Sequence, residues 1–318
     1  MLYHSLFTIS MTIFITILLK LIPLYFMILL GFIWAKSLKA QKETVAKLLI
    51  YIIAPCVIFY GTYTAEINIV TLSLPLLFFC IASIMAVTFL MIWKYIFGKD
   101  STKNILAFTA GTGNTGYFGL PVIAAVLGEQ AFSLATLSIL WFVLYENSIG
   151  FFLTANWSHT TKESLWKIIT LPTIYAFFLG LLLHIFHINI GGIVTTMIWH
   201  FKGAYTLLGM MIIGMGLATV SKKEIDYKFI SLTFLAKFIF WPLIIIGIIA
   251  LDKHFFHIYN TLVYNVMLIM AIVPLAANTV AIATELQVHP NKAALAVLLS
   301  TLFALFYIPL LASIYIIH

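Results

Sequence analysis

Long apolar segments that alternate with short polar ones limit what this chain can fold into. A helix needs roughly 20 apolar residues to cross the hydrocarbon core of a bilayer. Only 8% of the 318 residues are charged and the mean hydropathy is +1.12, whereas soluble domains carry about 25% charged residues. Ten apolar runs, numbered here as spans one to ten, lie near residues 10–35, 44–64, 70–97, 104–126, 131–155, 167–187, 193–220, 228–250, 260–285 and 292–317. We therefore expect an all-α polytopic membrane protein with ten transmembrane helices.

The distribution of basic residues predicts how these spans are oriented. All seventeen basic residues are lysines, and thirteen of them follow an odd-numbered span: Lys36, Lys39, Lys42, Lys47, Lys94, Lys99, Lys103, Lys162, Lys167, Lys222, Lys223, Lys228 and Lys292. The segments after even-numbered spans contain only Lys253. Because lysine-rich loops stay in the cytoplasm, we expect a plasma (inner) membrane protein with both termini extracytoplasmic. Lysines scattered in this way do not predict nucleic acid as a partner.

Patterns of metal sites, cofactor sites and enzymes are absent from the sequence. The two cysteines, Cys56 and Cys80, lie inside apolar runs and have no ligand spacing around them, so we expect no metal and no cofactor. The sequence contains no H-E-x-x-H, G-x-S-x-G or paired aspartates, which leaves an intramembrane enzyme as a distant alternative. Span one is too long for a signal-peptide core and lacks a small-x-small cleavage site before Lys36, so we expect it to be retained.

Two pairs of similar segments indicate an internal repeat. Span one contains PLYFMILLG at residues 23–31 and span six contains PTIYAFFLG at residues 172–180. Span four contains Asn114-Thr115 and span nine contains Asn278-Thr279. Chance similarity between apolar segments is the alternative, but the same dipeptide in the fourth span of each half argues against chance.

A repeat of five spans has a consequence for topology. We expect a first five-helix repeat over residues 1–157 and a second over residues 158–318. Because five is an odd number, the second repeat enters the membrane from the opposite face. Inverted repeats of this kind are typical of secondary transporters.

The stretch GTGNTGYFGLP in span four predicts a break in its helix. It places five helix-breaking residues within eleven positions: Gly111, Gly113, Gly116, Gly119 and Pro121. Glycine costs roughly 1 kcal/mol and proline about 3 kcal/mol in a helix interior. The G-x-G-x-x-G spacing also resembles a dinucleotide-binding loop, but that loop needs a βαβ unit and an acidic residue about 20 positions later. Glu129 and Glu146 do not have that spacing.

Span nine offers a matching break at Pro274. Unwound backbone inside a membrane is tolerated only where protein or a water-filled cavity surrounds it, and a half-helix that begins there attracts anions to its N-terminus. We therefore expect the two breaks to meet and form a polar site. The predicted substrate-binding residues are Asn114, Thr115, Asn278 and Thr279, with the glycines allowing close backbone approach.

The motifs of spans four and nine also carry a family resemblance. N-T-x-x-x-G-x-P at residues 114–121 and VPLAANTVAIATELQVHP at residues 273–290 resemble segments of the auxin efflux carrier family. The resemblance implies a permease of its bacterial branch, some members of which are assigned to malate or malonate. The chain lacks the long loop that plant exporters have between spans five and six, which makes auxin itself an unexpected substrate.

The same resemblance implies an architecture. It predicts the fold of bile-acid symporters and sodium/proton antiporters, in which spans four and nine cross near Pro121 and Pro274 and the substrate carboxylate lies beside Asn114 and Asn278. It also implies a scaffold of spans one, two, six and seven, a transport unit of spans three to five and eight to ten, and a homodimer.

Glu146, Lys202 and Lys237 are charged residues within spans that could have a function. Glu146 in span five could carry a proton or help to hold a cation, since an ionisable group inside the membrane is a functional hypothesis by default. The alternative is a structural carboxylate bonded to a neighbouring helix, or one close enough to the interface to stay wet. Lys202 and Lys237 could pair with an acid or meet an anion, but snorkelling to the interface is the arrangement we expect.

These observations predict a secondary transporter that moves a small organic anion, such as a mono- or dicarboxylate, by alternating access. Its partners would be that anion, the lipid bilayer and a second copy of the chain, with possible coupling to H⁺ or Na⁺. The alternative within transport is an exchanger whose main cargo is Na⁺ or H⁺.

Overall fold

The computed structural model describes residues 2–98, 100–154, 166, 169–218, 225–286 and 288–315. In this part of the chain all regular elements are helices. The first six are α1 (Leu2–Leu38), α2 (Lys42–Thr64), α3 (Ile69–Phe97), α4 (Thr102–Gly111), α5 (Leu120–Leu127) and α6 (residues 129–154). The next six are α7 (Pro172–Ile185), α8 (Gly191–Ala218), α9 (Tyr227–Phe256), α10 (Thr261–Ile272), α11 (Asn278–Glu285) and α12 (Pro290–Tyr315).

Several helices are long and apolar enough to cross a membrane. By length and composition, α1, α2, α3, α8, α9 and α12 meet this requirement, and α7 and α10 are shorter apolar helices. Their outward faces carry large exposed apolar side chains, among them Leu19, Phe26, Leu76, Leu243 and Phe306. Such a surface suits lipid and not water, so the chain is a multi-pass membrane protein. Ten crossings arranged as two inverted repeats stay a prediction.

The helix boundaries differ from the expected spans in several places. Helix α1 begins at Leu2, earlier than the expected start near residue 10. The fourth and ninth runs are each divided into two helices, α4 with α5 and α10 with α11. The predicted boundary between repeats at residue 157 lies outside the described residues, as do the predicted span ends at residues 155, 167, 220 and 317.

Glycines bring two pairs of helices into close backbone contact. A Cβ on Gly31 of α1 would lie 2.0 Å from the carbonyl oxygen of Met211 in α8, and one on Gly180 of α7 would lie 2.5 Å from that of Phe59 in α2. Small residues at membrane helix interfaces allow such approach. Gly31 and Gly180 are the last residues of the two similar segments, so the matching glycines perform the same packing task in both halves.

The divided helices lie at the centre of the molecule. Residues 104–115 and residues 263–276 are buried without exception, whereas the long helices around them alternate between buried and exposed faces. Neighbouring helices α3, α6, α9 and α12 pack against these central segments. Protein therefore surrounds most of the non-helical backbone, which is a condition for keeping it at membrane depth.

Candidate functional site

The interruptions in the two central helices meet each other. Helix α4 ends at Gly111, and three non-helical residues precede the π-helical turn Thr115–Gly119 that leads into α5. Helix α10 ends at Ile272, and five non-helical residues separate it from α11. The backbone N–H of Asn114 donates to the carbonyl oxygen of Pro274 at 2.8 Å. This hydrogen bond joins the two interruptions directly.

Side chains from neighbouring helices satisfy other backbone groups that the interruptions leave free. The indole Nε1–H of Trp241 in α9 donates to the carbonyl oxygen of Ala110 at 2.6 Å. The backbone N–H of Leu275 donates to Oγ of Ser300 in α12 at 3.1 Å. In an apolar environment each unpaired backbone group costs free energy, so these contacts stabilise the breaks. The sequence analysis missed Trp241 and Ser300, because an isolated Trp or Ser in an apolar run carries no distinctive pattern.

A cavity of about 260 Å³ opens beside the interruptions. One wall is apolar and comes from α2 and α6: Ile50, Ala54, Ile58, Ile139 and Phe142. The polar side chains of the lining come from the first interruption and the turn after it, from helices α6, α7 and α8, and from the start of α11: Asn114, Thr115, Tyr117, Glu146, Thr173, Tyr205 and Asn278. The cavity is therefore an apolar pocket with its polar groups drawn from several elements.

Glu146 connects the two interruptions through its carboxylate. It lies at the start of the π-helical turn Glu146–Gly150 of α6 and is only 7% exposed. Its Oε1 accepts a hydrogen bond from Thr112 Oγ1 at 2.7 Å, and its Oε2 accepts one from Asn278 Nδ2 at 2.8 Å. The low exposure shows that little of the Glu146 side chain is accessible, and its position relative to the membrane interface stays untested. The bonds agree with the structural alternative, and a role in coupling stays a proposal.

Thr112 is a site residue that the sequence analysis did not name. It is fully buried and lies in the first interruption, directly after the last residue of α4. Its position between Gly111 and Gly113 could have identified it, because a polar side chain within a predicted break is a candidate for the polar site at that break.

Three of the four predicted substrate-binding residues line the cavity. Asn114 and Thr115 are buried side chains of the first interruption, and Asn278 begins α11. Among the described residues, the Nδ2 group of Asn114 has no hydrogen-bond partner. Thr279 is not part of the lining; its hydroxyl is buried and also has no described partner. A buried polar group without a described partner is uncommon in a folded protein.

The predicted crossover glycines and prolines differ in position. Gly113 and Gly116 line the cavity. Gly111 packs against the Tyr145 hydroxyl, which a Cβ would meet at 2.0 Å, and Gly119 packs against Val273 at 3.3 Å. Of the two prolines, Pro121 lies in the first turn of α5 and Pro274 lies within the second interruption. The close approach of neighbouring groups explains the glycines without a nucleotide.

The two lysines differ in their surroundings, and the expectation of snorkelling to the interface is wrong for Lys237. Lys202 of α8 is buried, pairs with Glu129 and lies 4.0 Å from the centre of the Phe132 ring. This is the alternative in which a lysine meets an acid. Lys237 of α9 is fully buried. The apolar residues around a lysine do not reveal whether its amine lies at the interface or at the centre of the protein.

The cavity lining offers hydrogen-bond donors that carry no charge. Helix α11 begins at Asn278 on the cavity wall, so the positive end of its dipole points there. Among the described lining residues, the one formally charged side chain is Glu146, and no lysine is present. The described residues contain no group of three or more His, Cys, Asp or Glu side chains that could hold a metal ion.

Comparison with known proteins identifies the family of the chain. A family model described as membrane transport protein matches residues 16–162 and 155–312. A protein of Methanothermobacter thermautotrophicus, described as an uncharacterized transporter, is 23% identical over 290 residues, which cover 89% of this chain and 93% of that relative. Both descriptions are of transporters and not of enzymes. Since the family model covers nearly all of the sequence, the chain belongs to the membrane transport protein family, as its resemblance to the auxin efflux carriers predicted.

Proposed function

We propose that this transporter is a secondary permease that moves a small organic anion, such as a mono- or dicarboxylate, by alternating access. The observation that carries the proposal is the contact between the two interruptions, from Asn114 N–H to the Pro274 carbonyl oxygen at 2.8 Å, beside a cavity. Two interrupted helices at the centre of a membrane protein are costly unless they line a pathway.

The size and chemistry of the cavity support a small carboxylate as substrate. Drug-sized ligands occupy pockets of about 300–1,000 Å³, and this cavity of about 260 Å³ suits a molecule of a few carbon atoms. The free amide donor of Asn114 and the N-terminus of α11 offer hydrogen bonds to a carboxylate, while Ile50, Ile58 and Phe142 offer contacts to its carbon chain.

The proposed architecture is a scaffold and a transport unit built from two inverted five-helix repeats, residues 1–157 and 158–318. The matching contacts of Gly31 and Gly180 support the repeat. The proposed scaffold consists of α1, α2, α7 and α8, which correspond to spans one, two, six and seven in that order. The cavity has walls from α2, α7 and α8 on one side and from both interruptions on the other. A site between two such bodies becomes accessible from alternate faces when one body moves against the other.

Glu146 is the proposed coupling residue. An anion bound beside Asn114 and Asn278 would share the cavity with the Glu146 carboxylate. Two negative charges within one small cavity repel each other. A proton on Glu146, or a Na⁺ ion beside it, would remove that repulsion. Coupled movement of an anion with H⁺ or Na⁺ follows from this arrangement.

The same carboxylate supports a second candidate function, an exchanger whose main cargo is Na⁺ or H⁺. Glu146 is the single acidic side chain among the described lining residues. In that case the cation would move without any organic anion. The presence of unpaired donors such as Asn114 Nδ2 favours the anion, because donors do not coordinate cations.

The location follows from the lysine distribution and the family. We propose a plasma (inner) membrane protein with both termini extracytoplasmic, assembled as a homodimer. No cofactor is part of the proposal beyond the coupling ion.

Uptake by the purified protein in proteoliposomes tests the function. Radiolabelled acetate, malate, malonate and succinate are tested one at a time, with and without Na⁺ and a pH gradient, and ²²Na⁺ flux is measured without carboxylate. We expect carboxylate flux that depends on the protein and on one cation. Cation flux that no carboxylate alters would favour the exchanger, and the absence of carboxylate flux under all conditions would contradict the anion proposal.

A further inference from the structure

Lys237 is a buried amine at the first interruption that the proposed function does not use. It lies in the π-helical turn Leu235–Phe240 of α9 and is 0% exposed. Among the described residues its Nζ has no hydrogen-bond partner. Its aromatic neighbour is Trp241, whose ring centre lies 5.1 Å from Nζ.

This environment does not compensate a positive charge. A buried ammonium normally has a carboxylate or several oxygen acceptors around it, because removal from water is costly. Lys202 shows the usual solution in the same protein, since it pairs with Glu129. A cation–π contact alone recovers only part of the lost hydration.

The amine of Lys237 can lie close to the backbone of Gly113 because glycine has no side chain. A Cβ on Gly113 would lie 2.4 Å from Lys237 Nζ and 3.1 Å from Val273 Cγ2. Gly113 itself lines the cavity, so the amine lies directly behind the backbone of the cavity wall. A protonated amine behind this wall would act on an anion in the cavity through a medium of low dielectric constant.

We propose that Lys237, when protonated, provides a positive charge behind Gly113 that attracts the anion into the cavity. This inference rests on the proposed function as an anion transporter. It explains how a cavity whose described lining contains no lysine selects an anion despite the carboxylate of Glu146. The bound anion supplies the negative charge that the described residues around Lys237 do not provide.

A purely structural role for Lys237 is the competing explanation. Helices α4 and α10 both end near Gly113 and Val273, and the C-terminal end of a helix carries a partial negative charge that a cation can offset. In that case Lys237 would stabilise the empty protein. The two explanations predict opposite effects on stability when the charge is removed.

Thermal unfolding of the ligand-free protein in detergent distinguishes them. The variant Lys237→Met keeps an unbranched apolar side chain, one atom shorter than lysine, and removes the amine. We expect its unfolding midpoint to rise by about 2 °C or more, because a buried amine without a described partner has been removed. The matched control is Lys202→Met, which breaks an existing ion pair and is expected not to raise the midpoint. A fall in the midpoint of Lys237→Met would overturn the proposal.

Stabilisation by added acetate, malate or malonate provides the second measurement. We expect apparent affinity for the carboxylate that stabilises the wild type to fall at least tenfold in Lys237→Met. Gly113→Ala, which places a Cβ against Nζ, should weaken binding in the wild-type background and add little in the Lys237→Met background. Equal losses in both backgrounds, or unchanged affinity in Lys237→Met, would overturn the proposal. If no carboxylate stabilises the wild type, the proposed function fails, and the unfolding comparison still decides the role of Lys237.

Discussion

The side chain of Asn114 can be removed with little cost to the fold, which makes it the sharpest test of the site. Its Nδ2 group is buried and has no described partner, and an unsatisfied buried donor costs about 1–3 kcal/mol. The hydrogen bonds that hold the interruption at this position use the backbone, from Asn114 N–H to Pro274 and from Gly119 N–H to the Asn114 carbonyl oxygen. Alanine keeps both of these bonds. We therefore expect Asn114→Ala to unfold at or slightly above the wild-type temperature.

The expected loss in substrate binding is much larger. A hydrogen bond to a charged group contributes about 1.5–3 kcal/mol, which corresponds to roughly 10- to 150-fold in affinity. If the Asn114 amide donates to the substrate carboxylate, Asn114→Ala should raise the half-saturating carboxylate concentration by about that factor. Initial uptake rates in proteoliposomes, measured over a range of substrate concentrations, give this value directly.

The matched control is Ser138→Ala. Ser138 lies in α6, is fully buried and also has a hydroxyl without a described partner, but it is not part of the cavity lining. Its removal should leave both stability and transport close to wild type. Near-normal transport by Asn114→Ala would refute the assignment of this residue, and a large fall in its stability would refute the claim that its side chain is unpaired.

Two further substitutions test coupling and packing. Glu146→Gln keeps the size of the side chain and its ability to bond Thr112, so we expect normal expression with altered pH or cation dependence of transport; an unchanged dependence would remove Glu146 from coupling. Gly214→Ala would place a Cβ 1.8 Å from the Ile28 carbonyl oxygen and should destabilise the α1–α8 contact by about 1–3 kcal/mol. Gly203→Ala in the same helix meets no atom within 4 Å and should be neutral or stabilising by up to about 1 kcal/mol in thermal unfolding.

The positions of the two breaks could be predicted because glycine and proline act locally. The run of glycines from Gly111 to Gly119, and Pro274 in span nine, disfavour a helix wherever the chain places them. Asn114 and Asn278 could be named for the same reason, since polar side chains at a break must face protein or water. The lining residues Thr115 and Gly116 follow from the same local argument.

The partners of these residues could not be predicted in the same way. Glu146 was named, but its bonds to Thr112 and Asn278 depend on how α6 packs against both interruptions. Lys237 was expected at the interface and lies at the centre, because the depth of a side chain depends on which face of α9 packs inward. Thr279 neighbours Asn278 but points away from the cavity lining, since successive residues of a helix face different directions.

The sequence by itself determined that the chain is a membrane protein of long apolar helices. It also placed helix-breaking residues in spans four and nine and an acidic residue, Glu146, in span five. Hydropathy and backbone preference decide such features, because each depends on a residue and its near neighbours in the chain. Only the tertiary structure decided that the two breaks share a hydrogen bond, that one carboxylate joins them, and that a lysine is held behind Gly113 without a described partner. These contacts join residues far apart in the chain, and their distances depend on the packing of whole helices.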